Sequence, residues 1–221
     1  MRAVLWDMDG TLVDSEKLWD VSLSTFYESF GGAISRETRA ALVGASAEET
    51  MITAYAELGL DPAPDAMAES TRSLHAHTAE LFDAGLPWCE GAREILDALA
   101  AERTPMALVT NTQRGLTEHA LNSIGRQYFS ASVCGDEVPN GKPAPDPYLR
   151  AADLLGMKTS DCLAVEDSVT GALAAERAGC AVLVVPNDVL VPGGRRRRHA
   201  GSLAELQVAD LHEIYGQLKP P

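Results

Sequence analysis

Seven residues at four places in the chain carry groups that could act together: Asp7 and Asp9, Thr110 and Asn111, Lys142, and Glu166 and Asp167. Asp7 and Asp9 flank Met8 and run into Gly10-Thr11. Two like charges this close repel unless a cation or a proton sits between them. That arrangement suits a nucleophile, a proton donor and a magnesium ion. Thr110-Asn111 closes the run Ala107-Leu108-Val109 and offers a hydroxyl and the following backbone N–H groups to a phosphate. Lys142, within Pro139-Asn140-Gly141-Lys142-Pro143, is a cation in a stiff loop, and Glu166-Asp167-Ser168 brings acids to the end of another apolar run. Singly, each has an ordinary explanation: an acidic turn, a turn threonine, a solvated lysine, or the cap of the next helix. Jointly they describe one site, provided the chain brings them to one place.

The elements that must do so are legible in the hydrophobic pattern. Short continuous apolar runs at 3–6, 105–110, 131–134, 162–165 and 181–185 read as strands buried on both faces. Between the later ones lie helical patterns at 92–101, 115–124 and 169–178, and a further helix begins at Asp146-Pro147 and ends at Gly156. Strands of this kind alternating with helices predict a doubly wound α/β core around a parallel, Rossmann-like sheet. In such a sheet the polar residues that end the strands reach the carboxyl rim, where ligands bind. Asp7 cannot be buried cheaply after an apolar strand, so that rim is its expected place. Gly10 permits a sharp turn that lifts Asp9 over it.

Residues 15–86 contain no strand pattern. Helical runs at 17–30, 36–43, 47–58 and 66–82 fit instead, punctuated by Gly31-Gly32, Gly44, Gly59 and Gly85. Ser46 followed by Glu49 forms a capping box for the third run. The expected organisation is an α/β core of residues 1–14 and 87–221 with an all-helical insertion at 15–86.

A chain of 221 residues can bury a full core, and 46% hydrophobic with 23% charged residues is ordinary for a globular protein. The net charge of −14 argues against nucleic acid or an anionic membrane as partner. No apolar run approaches membrane-spanning length, and no secretory leader is evident, so a cytoplasmic location is expected. Cys89, Cys134, Cys162 and Cys180 show no metal-site spacing, and the last three fall in or beside strands as buried thiols. Arg195–Arg198 reads as a solvated basic loop. His75 and His77, two apart on a helix, do not share a face and make a poor metal pair.

The four motifs, in this order and with a helical insertion after the first, resemble the haloacid dehalogenase superfamily. Asp7-Met8-Asp9-Gly10-Thr11 is similar to its first motif, Thr110-Asn111 to its second, Lys142 to its third and Glu166-Asp167-Ser168 to its fourth. Leu12-Val13-Asp14-Ser15 and Pro87 with Gly91 resemble the junctions of its small helical cap. The resemblance implies a magnesium-dependent phosphatase acting on a small phosphorylated metabolite, for which a sugar phosphate is the expected class, as a monomer or weak homodimer. Asp7 would attack phosphorus to give an aspartyl-phosphate, and Asp9 would protonate the leaving oxygen and later activate water. Mg2+ would be held by Asp7, the backbone carbonyl of Asp9 and Asp167, with Glu166 either a further ligand or a partner of bound water. Thr110, Asn111 and Lys142 would hold the phosphate.

Departures from sister branches narrow the choice. Asp9 argues against dehalogenation, and the Lys-Thr pair of the transport ATPases is absent. A β-phosphoglucomutase-like enzyme places an arginine just past a Gly-x-Ser element and a histidine at the cap junction. Here Gly44-Ala45-Ser46 is followed by Ala47, and Trp19 stands at the histidine position. Phospho-accepting receiver modules share the strand-end acids, Thr and Lys but carry no helical insertion. Trp19 either faces the substrate or packs between helices, and Trp6 is expected in the core behind Asp7.

Overall fold

A computed structural model describes residues 1–42, 45–186 and 190–219. At its centre is a parallel sheet of β1 (Ala3–Trp6), β2 (Met106–Val109), β3 (Ala131–Val133), β4 (Cys162–Glu166), β5 (Ala181–Val184) and β6 (Arg197–His199). The strand order is β3-β2-β1-β4-β5-β6, so the chain winds outward in both directions from β1. Side-chain alternation divides the apolar runs between two cores. Val4, Trp6, Leu108, Val165 and Leu183 face one side, packed with α5 (Ala92–Ala101), α6 (Arg114–Ile124) and α9 (Val208–Leu218). Leu5, Ala107, Val109, Ala164 and Val182 face the other, under α7 (Asp146–Leu154) and α8 (Val169–Ala178). This is the predicted doubly wound, Rossmann-like α/β core. Trp6 is fully buried within it, and its indole Nε1 has no hydrogen-bond partner among the described residues. All four cysteines are free, with Cys134, Cys162 and Cys180 buried.

Between β1 and α5 lie α1 (Glu16–Ser29), α2 (Arg36–Ala41), α3 (Ala47–Leu58) and α4 (Pro64–Ala84). They enclose a small core of their own, with Leu23, Tyr27, Met51, Tyr55 and Leu74 buried together. The Ser46–Glu49 capping box starts α3, and Gly59 ends it in the left-handed conformation. The helix expected at 36–43 stops at Ala41, and Val43 and Gly44 lie outside the described residues. The chain enters and leaves this insertion at one place: Asp14 donates its N–H to Pro87 O at 2.9 Å, and Cys89 donates to Leu12 O at 3.0 Å.

One expectation is overturned. Arg197–His199 is no loop but the edge strand β6, in register with Val182–Val184. The basic side chains are tied back to the end of α8: Arg197 pairs with Glu176 at 2.8 Å and Arg196 donates to Gly179 O at 2.6 Å. Charged residues on an edge strand also discourage further strand pairing. The C-terminal helix α9 adds a second element beyond those expected, burying Val208, Leu211 and Tyr215 at helical spacing.

Candidate active site

The motif residues gather at the carboxyl rim of the sheet beneath the helical insertion: the acids and Thr110 follow or close central strands, and the loop between β3 and α7 brings in Lys142. Asp7 continues β1 by donating its N–H to Val165 O. The chain then turns sharply at Gly10, whose φ of +79° is open to glycine at little cost. Thr110 follows β2, Glu166 closes β4 and Asp167 follows it.

Asp7 and Asp9 emerge from one turn into different environments. Asp7 is buried; its Oδ1 accepts from Lys142 Nζ at 2.5 Å and its Oδ2 from Thr11 Oγ1 at 2.9 Å. Asp9 is held by three hydroxyls: Ser15 donates to Oδ1 at 2.6 Å, while Thr112 and Thr110 donate to Oδ2 at 2.9 and 3.1 Å. Thr110 thus points its hydroxyl at Asp9, and its oxygen also accepts the Thr112 N–H at 3.0 Å. Asn111 lines the cleft and steadies the lysine loop: its Oδ1 accepts the Lys142 N–H at 2.8 Å and its Nδ2 donates to Lys142 O at 3.1 Å.

Lys142 is buried between two acids, since its Nζ also donates to Glu166 Oε1 at 2.7 Å. Attraction to both carboxylates outweighs desolvation and keeps the ammonium charged. Glu166 has no solvent exposure, and its oxygens are occupied: Oε1 also accepts from Tyr148 at 2.6 Å, and Oε2 accepts from Ser168 at 3.0 Å. Gly171 makes room for it, because a Cβ there would lie 1.8 Å from Glu166 Oε1. Ser168 additionally caps α8, accepting the Gly171 N–H. Burial, followed by the nearby Glu166 charge, pushes the Asp7 carboxyl well above the ordinary carboxylate range despite Lys142. Burial and the Asp7 charge raise Asp167 in the same way.

Carboxylate oxygens of Asp7, Glu166 and Asp167 all lie within 4.8 Å of one another. Among the described residues no hydrogen-bond donor reaches the Asp167 carboxylate, whereas Glu166 is fully engaged. Hard oxygen donors carrying excess negative charge fit a divalent cation.

Sequence reasoning named Ser15 only as part of a cap junction and did not single out Thr112, Tyr148, Glu16 or Arg39. The last two belong to the helical insertion, which faces the rim across a cleft of about 660 Å³, partly open to solvent, lined by Asp7, Asp9, Lys142, Trp19, Glu16 and Arg39 among others. Trp19 packs edge-on against Phe82 and His75 and also lines this cleft. Among the described residues no helix is long and apolar enough to cross a membrane.

Residues 4–185 match the family model of the haloacid dehalogenase-like hydrolases. A probable pseudouridine-5'-phosphatase from Drosophila melanogaster is 35% identical over 84% of this chain and 82% of its own length. A phosphorylated carbohydrates phosphatase from Thermotoga maritima is 31% identical over 81% and 82%. The crystal structure of β-phosphoglucomutase from Clostridium difficile superposes with a TM-score of 0.88 over 98% of both chains, at 18% identity, which establishes the shared fold. With its motifs gathered on one rim, the chain belongs to the haloacid dehalogenase-like hydrolases and is an enzyme of their phosphatase branch.

Proposed function

We propose that the protein is a magnesium-dependent phosphatase of a small phosphate monoester, a sugar phosphate or a similar metabolite, working through an aspartyl-phosphate. One observation carries this reading: two carboxylates two residues apart have different partners, Asp7 a buried lysine and one hydroxyl, Asp9 three hydroxyls and no cation among the described residues. Carboxyl groups separated in this way can take separate roles, one as nucleophile and one as acid and base.

In this mechanism an Asp7 oxygen attacks phosphorus, forming a P–O bond as the bond to the leaving oxygen breaks. Asp9, as the acid, delivers its proton to that oxygen. It then takes a proton from the water that cleaves the acyl-phosphate and regenerates Asp7. Each hydroxyl around Asp9 can rotate between donor and acceptor, so the same cradle holds Asp9 in both protonation states. Lys142 orients Asp7 and offsets the charge of the carboxylates. Asp7, Asp167 and the Asp9 carbonyl would hold Mg2+, with Glu166 holding Lys142 and Ser168 in place. The ion would supply positive charge to the phosphoryl oxygens. Thr110 and the backbone N–H groups that follow it would receive the phosphate, and the helical insertion at 15–86 would act as the cap that shields the site and contacts the leaving group. The mutase alternative has no such support, since Ala47 and Trp19 stand where its arginine and histidine would be.

The test is phosphate release from a panel of sugar phosphates, phosphoglycolate and nucleotides, with magnesium and with chelator. Asp7→Asn should reduce turnover to background while circular dichroism stays unchanged. Turnover retained by this variant refutes Asp7 as nucleophile.

A further inference from the structure

The cap side of the cleft contributes Glu16, Trp19, Leu23, Arg39, Leu42 and Thr50. Arg39 is the one cation on this wall among the described residues, and it is already committed. Its guanidinium forms ion pairs with both Glu16 and Asp20 and donates to the Glu16 backbone carbonyl at 3.2 Å. The Arg39 and Glu16 side chains are only 16% and 9% exposed, so water and salt screen them weakly. Lys142 is committed in the same way, to Asp7 and Glu166. Each cation of the cleft thus faces two acids.

The described lining carries four acids, Asp7, Asp9, Glu16 and Asp167, against two cations, Arg39 and Lys142, a formal charge of −2 with every acid ionised. A divalent cation would bring this to neutrality, and the phosphate then adds its own negative charge. A second anionic group on the substrate would meet Glu16, and Arg39, already paired with Glu16 and Asp20, has no uncommitted charge to receive it. We propose that the cap selects a neutral, hydroxyl-bearing leaving group, so that the substrate is the monophosphate of a sugar or polyol without a second phosphate or a carboxylate. The Glu16 carboxylate accepts from its hydroxyls, spare N–H groups of Arg39 donate to them, and the Trp19 ring covers its C–H face. The inference rests on the proposed function only in taking from it that a phosphate docks at the Asp7–Lys142 rim. The same saturation argues against a mutase, which must hold a bisphosphate.

Two matched pairs test it: glucitol 6-phosphate against 6-phosphogluconate, and glycerol 3-phosphate against 3-phosphoglycerate. Within each pair a terminal CH2OH becomes a carboxylate at unchanged chain length. Binding is measured by calorimetry with Mg2+ on the Asp9→Asn variant, so the ranking does not depend on turnover, and kcat/KM is measured in parallel on the wild type. The neutral member of at least one pair should bind tenfold or more tightly than its carboxylate counterpart. Asp20→Asn, at a side chain that is 53% exposed and off the cleft lining, leaves Arg39 with one acid fewer. It should narrow that gap about fivefold, the worth of a partly exposed ion pair. Equal or tighter binding of the carboxylates, or no binding of any of the four, overturns the proposal. Absent turnover in the wild type with the ranking intact overturns the phosphatase reading instead.

Discussion

Replacing Lys142 by methionine keeps most of the side chain's length and removes its charge. The lysine side chain is 3% exposed and lies 2.5 Å from Asp7 and 2.7 Å from Glu166, which are 8% and 0% exposed. The variant therefore leaves two buried carboxylates facing each other without a counter-charge. Removing one partner of a buried ion pair destabilises by about 3 to 5 kcal/mol. The lower end applies here, because Asp7 already tends toward its protonated form and can neutralise itself. For a chain of this size about 3 kcal/mol corresponds to a fall in Tm of roughly 6 to 12 °C. Thermal unfolding followed by circular dichroism, without metal and at pH 7.5, gives the direct reading. Two conditions should close the gap: added Mg2+, which restores positive charge between the acids, and pH 5.5, where protons do so. A Tm within 2 °C of wild type, or a deficit indifferent to both Mg2+ and pH, refutes the assignment of Lys142 as the counter-charge of this cluster.

Three further outcomes follow from the same geometry. Thr112→Val removes one of the three hydroxyls holding Asp9 and should lower kcat about tenfold, the worth of one hydrogen bond to a charged group, with KM little changed; unchanged kcat in steady-state assays removes Thr112 from the cradle. Gly171→Ala puts a methyl group 1.8 Å from Glu166 Oε1 and should destabilise by roughly 3 kcal/mol in denaturant unfolding, because that carboxylate is held by three side-chain donors and cannot step aside. The Asp7 carboxyl, pushed up to about 7 from 3.8, binds its proton more tightly in the folded than in the unfolded protein. Metal-free stability should therefore fall as pH rises from about 4 to about 7, and affinity for Mg2+ should rise over the same window. Tm measured across that range with and without metal checks both signs, and Asp7→Asn should flatten the metal-free slope.

The parts of the site legible in sequence are those where a polar residue interrupts a pattern that excludes it. Asp7 ends an apolar strand, and so do Thr110 and Glu166, so parallel-sheet geometry alone sends them to one rim. Tyr148 leaves no such trace: it lies on the buried face of α7, where an aromatic ring is expected, and only the packing of α7 against β2, β3 and α8 brings its hydroxyl to Glu166. Arg39 sits in the short polar helix RETRAA, whose pattern says nothing about which side faces the cleft. Thr112 reads as an ordinary turn residue until tertiary folding brings Asp9 within reach of its hydroxyl. The strand β6 is hidden for a different reason. Its residues are Arg-Arg-His, a composition with little intrinsic strand preference, and it owes its place to Val182–Val184 beside it and Glu176 above it.

The paired backbones at Asp14–Pro87 and Leu12–Cys89 give this architecture an evolutionary property. Because the insertion leaves and rejoins the core at neighbouring, hydrogen-bonded positions, its length and content place almost no geometric demand on the sheet. A short turn could bridge the two ends, and so could a longer or differently folded segment, since the entropy of closing a loop grows only slowly with its length. On the function proposed above, the residues that would break the bond and the surface that would choose the molecule can therefore diverge at separate rates. On that proposal, a lineage could exchange one clientele for another by rewriting about seventy residues between these two connectors, leaving Asp7, Asp9, Lys142 and Asp167 where they stand.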